Sequence, residues 1–195
     1  MNQLLATPSF LVALPQLQDP NFYKSVVLLI EHNKEGAMGF IINRPSQMPL
    51  RELVSVDDLE IPYSIPAWVG GPVSADNGLV LHNQDLDDSG TTLSQDISLS
   101  SSDLALKNLV SVANQKMQPT LNQPGPMYPY RFVVGYAGWG PGQLDEEIKL
   151  GAWIQVPMDS KILFDTPWQG IWDAALEGIG VNPMDIAPAA QPFLN

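Results

Sequence analysis

The strongest constraint on the fold is a series of short apolar runs separated by proline, asparagine, glycine and charged residues. The runs SFLVAL (residues 9–14), SVVLLIE (residues 25–31) and AMGFIIN (residues 37–43) are continuously apolar but only six or seven residues long. Runs of this kind are typical of buried β-strands. The polar stretch NKEG joins the second run to the third, which predicts an antiparallel hairpin.

The rest of the chain mixes further short strands with amphipathic helices. Apolar residues recur at helical spacing after Ser101 and again after the Thr166-Pro167 pair, where a cap and a first-turn proline are expected. Pro141 is expected to open a third helix, and the Asp-rich stretch before residue 96 is expected to be a solvent-facing loop. Because strands and helices neither alternate strictly nor segregate, we expect one mixed sheet with helices packed around it. The other predicted strands are residues 78–82, 96–99, 131–137 and 152–156, a short helix is predicted at 49–54, and a loop at 119–129.

Length and composition favour one domain over residues 1–195. Hydrophobic residues make up 45% of the chain and charged residues 15%, so burial of apolar surface can offset chain entropy. We therefore expect the chain to fold without help from disulfides or metal ions.

The charge balance and the absence of cysteine exclude several functional classes. Nine Lys and Arg against 21 Asp and Glu give a net charge of -12, and no two basic residues are adjacent, so nucleic-acid binding is not expected. Without cysteine there is no thiolate nucleophile and no cysteine-based metal site. The N-terminus lacks the positive segment of a signal peptide and no apolar run is long enough for a membrane span, so we expect a cytoplasmic protein.

Four stretches of the sequence together resemble the AlgH/YqgE family of bacterial proteins. They are DPNFYKSVVLLIEHNKEGAMGFIINRP (residues 19–45), GGPV (70–73), GYAGWGPGQLDEEI (135–148) and LFDTPWQGIWDAAL (163–176), in the order that the family shows. The resemblance implies an α+β fold in which a complex mixed sheet, bifurcated and partly barrel-like, is surrounded by helices. It implies no particular activity, since the family's name refers to a proposed regulatory role in alginate production. The family's usual Gly and Ala pattern at the C-terminus is replaced here by NPMDIAPAAQPFLN.

Three polar residues at the predicted hairpin form one candidate ligand pocket. His32 follows the second strand, whereas Asn43 and Arg44 follow the third. In a functional interpretation His32 is an acid, a base or a ligand donor and Arg44 binds an anion, because guanidinium suits carboxylate and phosphate. In the alternative interpretation these side chains stabilise turns through hydrogen bonds.

His82 is a fourth candidate for this pocket. It ends a predicted strand and precedes Asp85, Asp87 and Asp88, and histidine with carboxylates can bind a divalent ion. The spacing matches no known ligand pattern, and acidic loops are usually solvated, so we expect neither a metal nor a cofactor.

Two glycine-rich turns are interpreted as structural. Gly70, Gly71 and Pro72 predict a tight turn, although a ligand could approach the bare backbone. The second turn superficially resembles a phosphate loop, but its proline lacks an amide donor, no lysine follows, and three carboxylates would repel phosphate. We expect its tryptophan to fill the core; the turn consists of Gly138, Trp139, Gly140, Pro141 and Gly142.

These observations favour a non-enzymatic binding or regulatory protein that acts through a protein partner. The first alternative is an enzyme or small-molecule binder, which requires His32, Asn43, Arg44 and His82 to meet in one cleft. The second is a transcriptional regulator, which the absence of a basic patch argues against.

Overall fold

The computed structural model describes residues 5–56, 59–62, 65–83, 90–101, 103–116 and 130–186. Within these ranges the chain forms ten strands in one connected sheet, five α-helices and two short 3-10 helices, Trp168–Gly170 and Pro183–Asp185. The strands are β1 Ser9–Ala13, β2 Val26–Asn33, β3 Gly36–Ile41, β4 Pro45–Pro49, β5 Pro66–Val69, β6 Val73–His82, β7 Thr91–Ser94, β8 Ile97–Ser100, β9 Tyr130–Trp139 and β10 Trp153–Val156. The helices are α1 Leu50–Leu53, α2 Asp103–Lys116, α3 Gln143–Lys149, α4 Ser160–Phe164 and α5 Ile171–Glu177.

The sheet divides at β9, its central strand. The order is β10-β1-β2-β3-β9-β6-β8-β7, and the pairs along this path are antiparallel. On the side of β9 away from β6, residues 137–139 pair with β3 and residues 132–134 pair in parallel with β5, which in turn holds β4. One long strand thus serves two branches, which confirms the bifurcated sheet.

The sheet also curls so that its two ends approach each other. The β7–β8 turn, with Gln95 and Asp96, lines a cleft of about 450 Å³ opposite Val156 and Pro157 at the end of β10. Strands at opposite ends of the path therefore face one another across a gap. This geometry confirms the expected α+β fold with a partly barrel-like sheet.

Helices cover both faces of the first strands, and this explains their continuous apolar runs. Alternate residues of a strand point to opposite faces. Phe10 and Val12 of β1 therefore join one core cluster with Trp172 of α5, whereas Leu11 joins another with Leu144 of α3. Each fully buried side chain of this size stabilises the fold by roughly 1.5–3 kcal/mol. A third cluster lies between α2 and strands β6 and β9.

The hairpin prediction is confirmed, since β2 and β3 pair antiparallel from Val27↔Ile41 to Asn33↔Gly36. Strands β4, β5 and β7 and helix α4 were not predicted. β7 lies in the segment expected to be a loop; it pairs only with β8, and its exposed Thr91 and Thr92 carry no apolar signal. Residues 84–89 and 119–129 of the predicted loops lie outside the described residues.

Two helices begin later than the proline positions predict. Helix α3 starts at Gln143 because Gly142 before it has a φ of 72°, a left-handed conformation that interrupts the helix. After Pro167 the chain forms the first 3-10 helix, and α5 starts only at Ile171. In the described part of the chain, no helix combines the length and the hydropathy that crossing a bilayer requires.

Candidate functional site

The loop between β1 and β2 exposes the side chains of Tyr23 and Lys24 at the surface. An Asp19 carboxylate oxygen accepts the Asn21 N–H at 2.8 Å, and the Phe22 N–H donates to the Asp19 carbonyl. Phe22 points inward, with ring centroids 5.5 Å from Trp153 in an edge-on contact. Because Phe22 anchors the loop in the core, the next side chain, Tyr23, is 56% exposed.

Asn43 and Arg44 hold this loop in place. The Asn43 amide accepts the Val26 N–H at 2.9 Å and donates to the Lys24 carbonyl at 2.8 Å. The Arg44 guanidinium donates to the carbonyls of three loop residues, Pro20 (3.2 Å), Asn21 (2.5 Å) and Tyr23 (3.3 Å). Partial burial lowers the pKa of Arg44, and the charge of Asp19 opposes that shift. Both side chains therefore act as structural clamps.

Lys24 is held over an aromatic ring. Its backbone has a φ of 51°, a left-handed conformation that is uncommon outside glycine. Its ammonium lies 4.8 Å from the centroid of the Trp172 ring, a cation–π contact. Trp172 is itself fixed, because its indole N–H donates to the Ala13 carbonyl at 2.7 Å.

The surface around Lys24 and Trp172 contains two adjoining clefts, which we name together the aromatic cleft. The first has a volume of about 420 Å³ and the second about 380 Å³. Exposed apolar side chains border both: Tyr23 lines the two clefts, Trp168 (42% exposed) the first and Met184 (88% exposed) the second. Four residues line both clefts: Tyr23, Lys24, Trp172 and Asp173.

Two polar side chains that line the aromatic cleft are engaged in hydrogen bonds within the protein. The Ser25 hydroxyl donates to the Phe22 carbonyl, and the Asn43 amide is engaged on both sides, so neither is free to act as a nucleophile or a base. In the described ranges, no three or more His, Asp or Glu side chains are grouped so that they could hold a metal ion. What remains accessible is aromatic surface, the Lys24 ammonium and the exposed carboxylate of Asp173.

The four predicted pocket residues do not share one cleft. Asn43 and Arg44 line the first cleft together, whereas His32 and His82 do not line it. His32 pairs with Ala37 at the far end of the β2–β3 hairpin, about 20 Å along β2 from Val26. His32 lies next to the hairpin turn, whereas Asn43 and Arg44 follow β3 at the open end. The length of the two strands separates these ends, which the functional hypothesis did not take into account.

His32 lies instead in a buried polar contact beside α3. Its Nδ1 accepts the Leu5 N–H at 2.8 Å, which leaves the hydrogen of a neutral ring on Nε2. That Nε2 lies 3.6 Å from an Asp145 carboxylate oxygen. His32 thus links the N-terminal segment, the hairpin and α3.

His82 is fully buried on β6, across β9 from β3. Its Nδ1 contacts the Asn83 carbonyl, and its Nε2 has no hydrogen-bond partner among the described residues. The acidic residues Asp85, Asp87 and Asp88 that suggested a metal lie outside the described residues.

The first glycine-rich turn packs closely against β9, whereas the second has more space. A Cβ atom on Gly70 would lie 2.3 Å from the Gly135 carbonyl oxygen, and one on Gly71, whose φ is 156°, 2.2 Å from the Tyr136 backbone. Pro72 follows them at the start of β6. In the second turn, Gly138 and Trp139 end β9 with Trp139 buried, and Gly140 donates its N–H to the Gln143 side chain before Pro141 and Gly142 lead into α3.

Apart from Asn43 and Arg44, sequence reasoning missed the residues that form the aromatic cleft. Tyr23 and Lys24 lie within the FYK part of the first family-like stretch, and Trp168 and Trp172 lie within the fourth. The helical spacing of apolar residues after Pro167 placed Trp172 on the buried face of a helix, and the structure agrees. Nothing in the local pattern indicated that Lys24 lies above it.

Arg131 is a buried cation that the sequence also did not single out. Its Nε–H and Nη2–H both donate to the Leu163 carbonyl, and the guanidinium stacks 4.1 Å above the Trp68 ring. Burial lowers the pKa of Arg131 to about 9. It joins α4 to the central strand and is a structural residue.

Comparison with known proteins matches nearly the whole chain to one family. The profile described as AlgH-like matches residues 10–184. The UPF0301 protein of Myxococcus xanthus is 37% identical over 182 residues, which cover 90% of this chain and 92% of that protein. A UPF0301 protein of Yersinia enterocolitica is 37% identical over 190 residues, covering 93% and 95%.

Solved structures agree with the fold. The solution structure of AlgH from Pseudomonas aeruginosa matches with a TM-score of 0.67 and 34% identity, covering all of both chains. A crystal structure from Corynebacterium diphtheriae matches with a TM-score of 0.67 at 23% identity, covering 97% of this chain and 93% of that one, and so supports the fold alone. With the family profile over residues 10–184 and relatives above 30% identity over nine-tenths of its length, the chain belongs to the AlgH-like family.

Proposed function

We propose that this protein is a non-enzymatic, cytoplasmic binding protein that docks a protein partner at the aromatic cleft. The observation that carries the proposal is the clustering of exposed large apolar side chains. Tyr23 borders both adjoining clefts, Trp168 borders the first and Met184 borders the second. Contiguous exposed apolar surface marks interaction sites, and Tyr and Trp are enriched among residues that dominate binding energy. The cytoplasmic assignment rests on the absence of cysteine, which suits a reducing compartment.

The rigidity of the loop supports the same function. Asn43 and Arg44 fix the backbone of residues 20–24 through hydrogen bonds to its carbonyls, so Tyr23 and Lys24 are presented without a further ordering cost on binding. A preorganised aromatic surface of this kind favours docking.

A small-molecule binder is the second candidate. The first cleft, at about 420 Å³, falls within the size range of ligand pockets. The polar side chains that would orient a small ligand, Asn43 and Arg44, are however already engaged with the loop backbone. We therefore rank partner docking above it.

The docking proposal is tested in two steps: partners are captured from lysate, and their binding to wild type and to variants is then compared. The full chain, immobilised, is exposed to native lysate, and each recovered protein is purified and titrated against wild type, Trp168→Ala, Tyr23→Ala and Leu150→Ala. Leu150 is 78% exposed but lies at the end of α3, outside the clefts, and so controls for general surface hydrophobicity. We expect Trp168→Ala to weaken binding by roughly tenfold or more and Leu150→Ala to leave it unchanged.

A partner that binds wild type and Trp168→Ala equally well would contradict docking at this cleft. Loss of binding with Leu150→Ala to the same extent would contradict it as well, because the effect would then not be specific to the cleft.

A further inference from the structure

Lys24 has an unusual backbone conformation. The position of its side chain indicates which chemical group a partner could present to it. Among described residues other than glycine, only Lys24 and Ser74 have positive φ, and such a conformation costs of the order of 1 kcal/mol for a side chain-bearing residue. It persists at Lys24 because Asn43 binds its carbonyl and Arg44 binds the carbonyl of Tyr23. The surroundings thus fix the backbone from which the Lys24 side chain extends.

The Lys24 ammonium retains its capacity to bind an anion. It lies over the Trp172 ring, and no described carboxylate oxygen lies within 4.0 Å of it, although Asp173 lines the same cleft. An ammonium carries three hydrogen-bond donors, and a ring face occupies none of them in a strong hydrogen bond. Arg44, by contrast, uses three of its five N–H donors on the loop carbonyls.

Charge around the cleft differs from that of the whole chain. The full chain has nine cationic residues and a net charge of -12, yet two of those cations, Lys24 and Arg44, line the first cleft against the one carboxylate of Asp173 there. The charge of Asp19 also acts on Arg44. These two cations and two carboxylates balance, so a carboxylate approaching Lys24 meets no net repulsion from them.

We propose that Lys24 recognises a carboxylate side chain on the docked partner, while Tyr23 and Trp168 contact an apolar or aromatic side chain next to it. The partner is then an exposed protein segment in which an Asp or Glu neighbours an aromatic residue. This inference rests on the proposed function and names the class of segment that the cleft binds.

The test uses two blocked peptides that differ only in charge, acetyl-Gly-Phe-Asp-Gly-amide and acetyl-Gly-Phe-Asn-Gly-amide. Each is titrated into the isotopically labelled full chain, with the amides of Tyr23 and Lys24 and the Trp168 indole N–H followed by nuclear magnetic resonance. We expect the Asp peptide to bind about fivefold more tightly at low salt, the size of one partly exposed ion pair. Raising the salt to about 0.5 M should bring the two affinities together.

Variants of Lys24 separate its charge from its shape. Lys24→Met should abolish the difference between the peptides, and Lys24→Arg should preserve it. Both replacements keep a long, straight side chain over Trp172, and an unchanged amide spectrum away from the loop verifies that each variant is folded.

Each remaining outcome has one meaning. Equal affinity of the two peptides for wild type would overturn the role of Lys24 while leaving docking at the cleft in place. Absence of saturable shifts at Trp168 with either peptide would count against docking of an aromatic side chain, and hence against both proposals. Inorganic phosphate that reproduces the Lys24 shifts at the same concentration, with the same dependence on Lys24→Met, would identify a simple anion site and overturn the partner assignment.

Discussion

Glu147 shows at the residue scale how one side chain organises a buried aromatic cluster. One of its carboxylate oxygens accepts the indole N–H of Trp139 at 2.9 Å and that of Trp153 at 2.7 Å, and the other accepts from Gln143 at 2.8 Å. The two indole rings meet edge-on, 5.7 Å apart, and both contact Phe22, the anchor of the loop that presents Lys24. Sequence reasoning treated Glu147 as one of three carboxylates that would repel phosphate, not as an acceptor for indole N–H groups.

We predict that Glu147→Leu lowers the free energy of unfolding by about 2–4 kcal/mol, because two indole donors in the core lose their acceptor. Glu147→Gln should cost less, since its amide oxygen can still accept from both indoles. Glu146→Gln is the control: the Glu146 carboxylate is exposed and, among described residues, bonds only Lys149, so stability should not change. Urea unfolding measures all three, and equal stability of Glu147→Leu and wild type would contradict the assignment.

At the element scale, the junction between β5 and β6 depends on close contact with β9. The Ile41 N–H donates to the Gly70 carbonyl and the Gly70 N–H donates to the Val134 carbonyl, so this junction lies between the two branches of the sheet. Gly71 passes against the Tyr136 backbone at a distance that no side chain permits. The junction therefore connects β3 to β9 at the point where the sheet divides into its two branches.

Gly71→Ala is expected to destabilise the fold by about 3 kcal/mol or more, from the strained φ and the overlap with β9. Gly140→Ala provides a matched comparison, because the nearest atom to its Cβ would be the Gln143 amide oxygen at 3.8 Å. Thermal unfolding of both variants, followed by circular dichroism, measures the difference. Similar midpoints for the two would show that the junction tolerates a side chain.

At the scale of the whole molecule, the curled sheet brings segments from both halves of the chain to one surface. The aromatic cleft combines the β1–β2 loop, the residues after β3, and the start of α5. The bond from the Trp172 indole to the Ala13 carbonyl spans 159 positions in sequence. The net charge of -12 belongs to this scale too, because it sets the long-range field that any partner meets.

We predict that the purified protein does not bind duplex DNA electrostatically, so no salt-dependent binding should be observed. Such binding requires several phosphates to be neutralised by clustered Lys and Arg, and the nine basic residues of this chain are scattered. Fluorescence anisotropy of a labelled duplex, measured from about 50 mM to 200 mM salt, is the appropriate test. Sequence-selective binding that weakens steeply with salt would revive the transcriptional-regulator alternative.

How far the sequence predicts the structure depends on how local each feature is. The β2–β3 hairpin was predictable because its turn and both apolar runs are adjacent in sequence. β7 and β4 were not, since an edge strand pairs on one side only and needs no apolar pattern. At the site, the hypothesis put His32 in one pocket with Asn43 and Arg44, but His32 does not line their cleft. Sequence proximity does not show that a strand separates its two ends.

The sequence by itself determined the buried strands, the mixed fold class, the family resemblance and the acidic charge, all of which follow from residue types and short-range spacing. Only the tertiary structure decided that Asn43 and Arg44 hold a loop and that Lys24 lies over Trp172. The physical reason is that an aromatic residue and a lysine carry the same local signals whether they are apart or stacked. Their contact exists only once the curled sheet has brought α5 against β1.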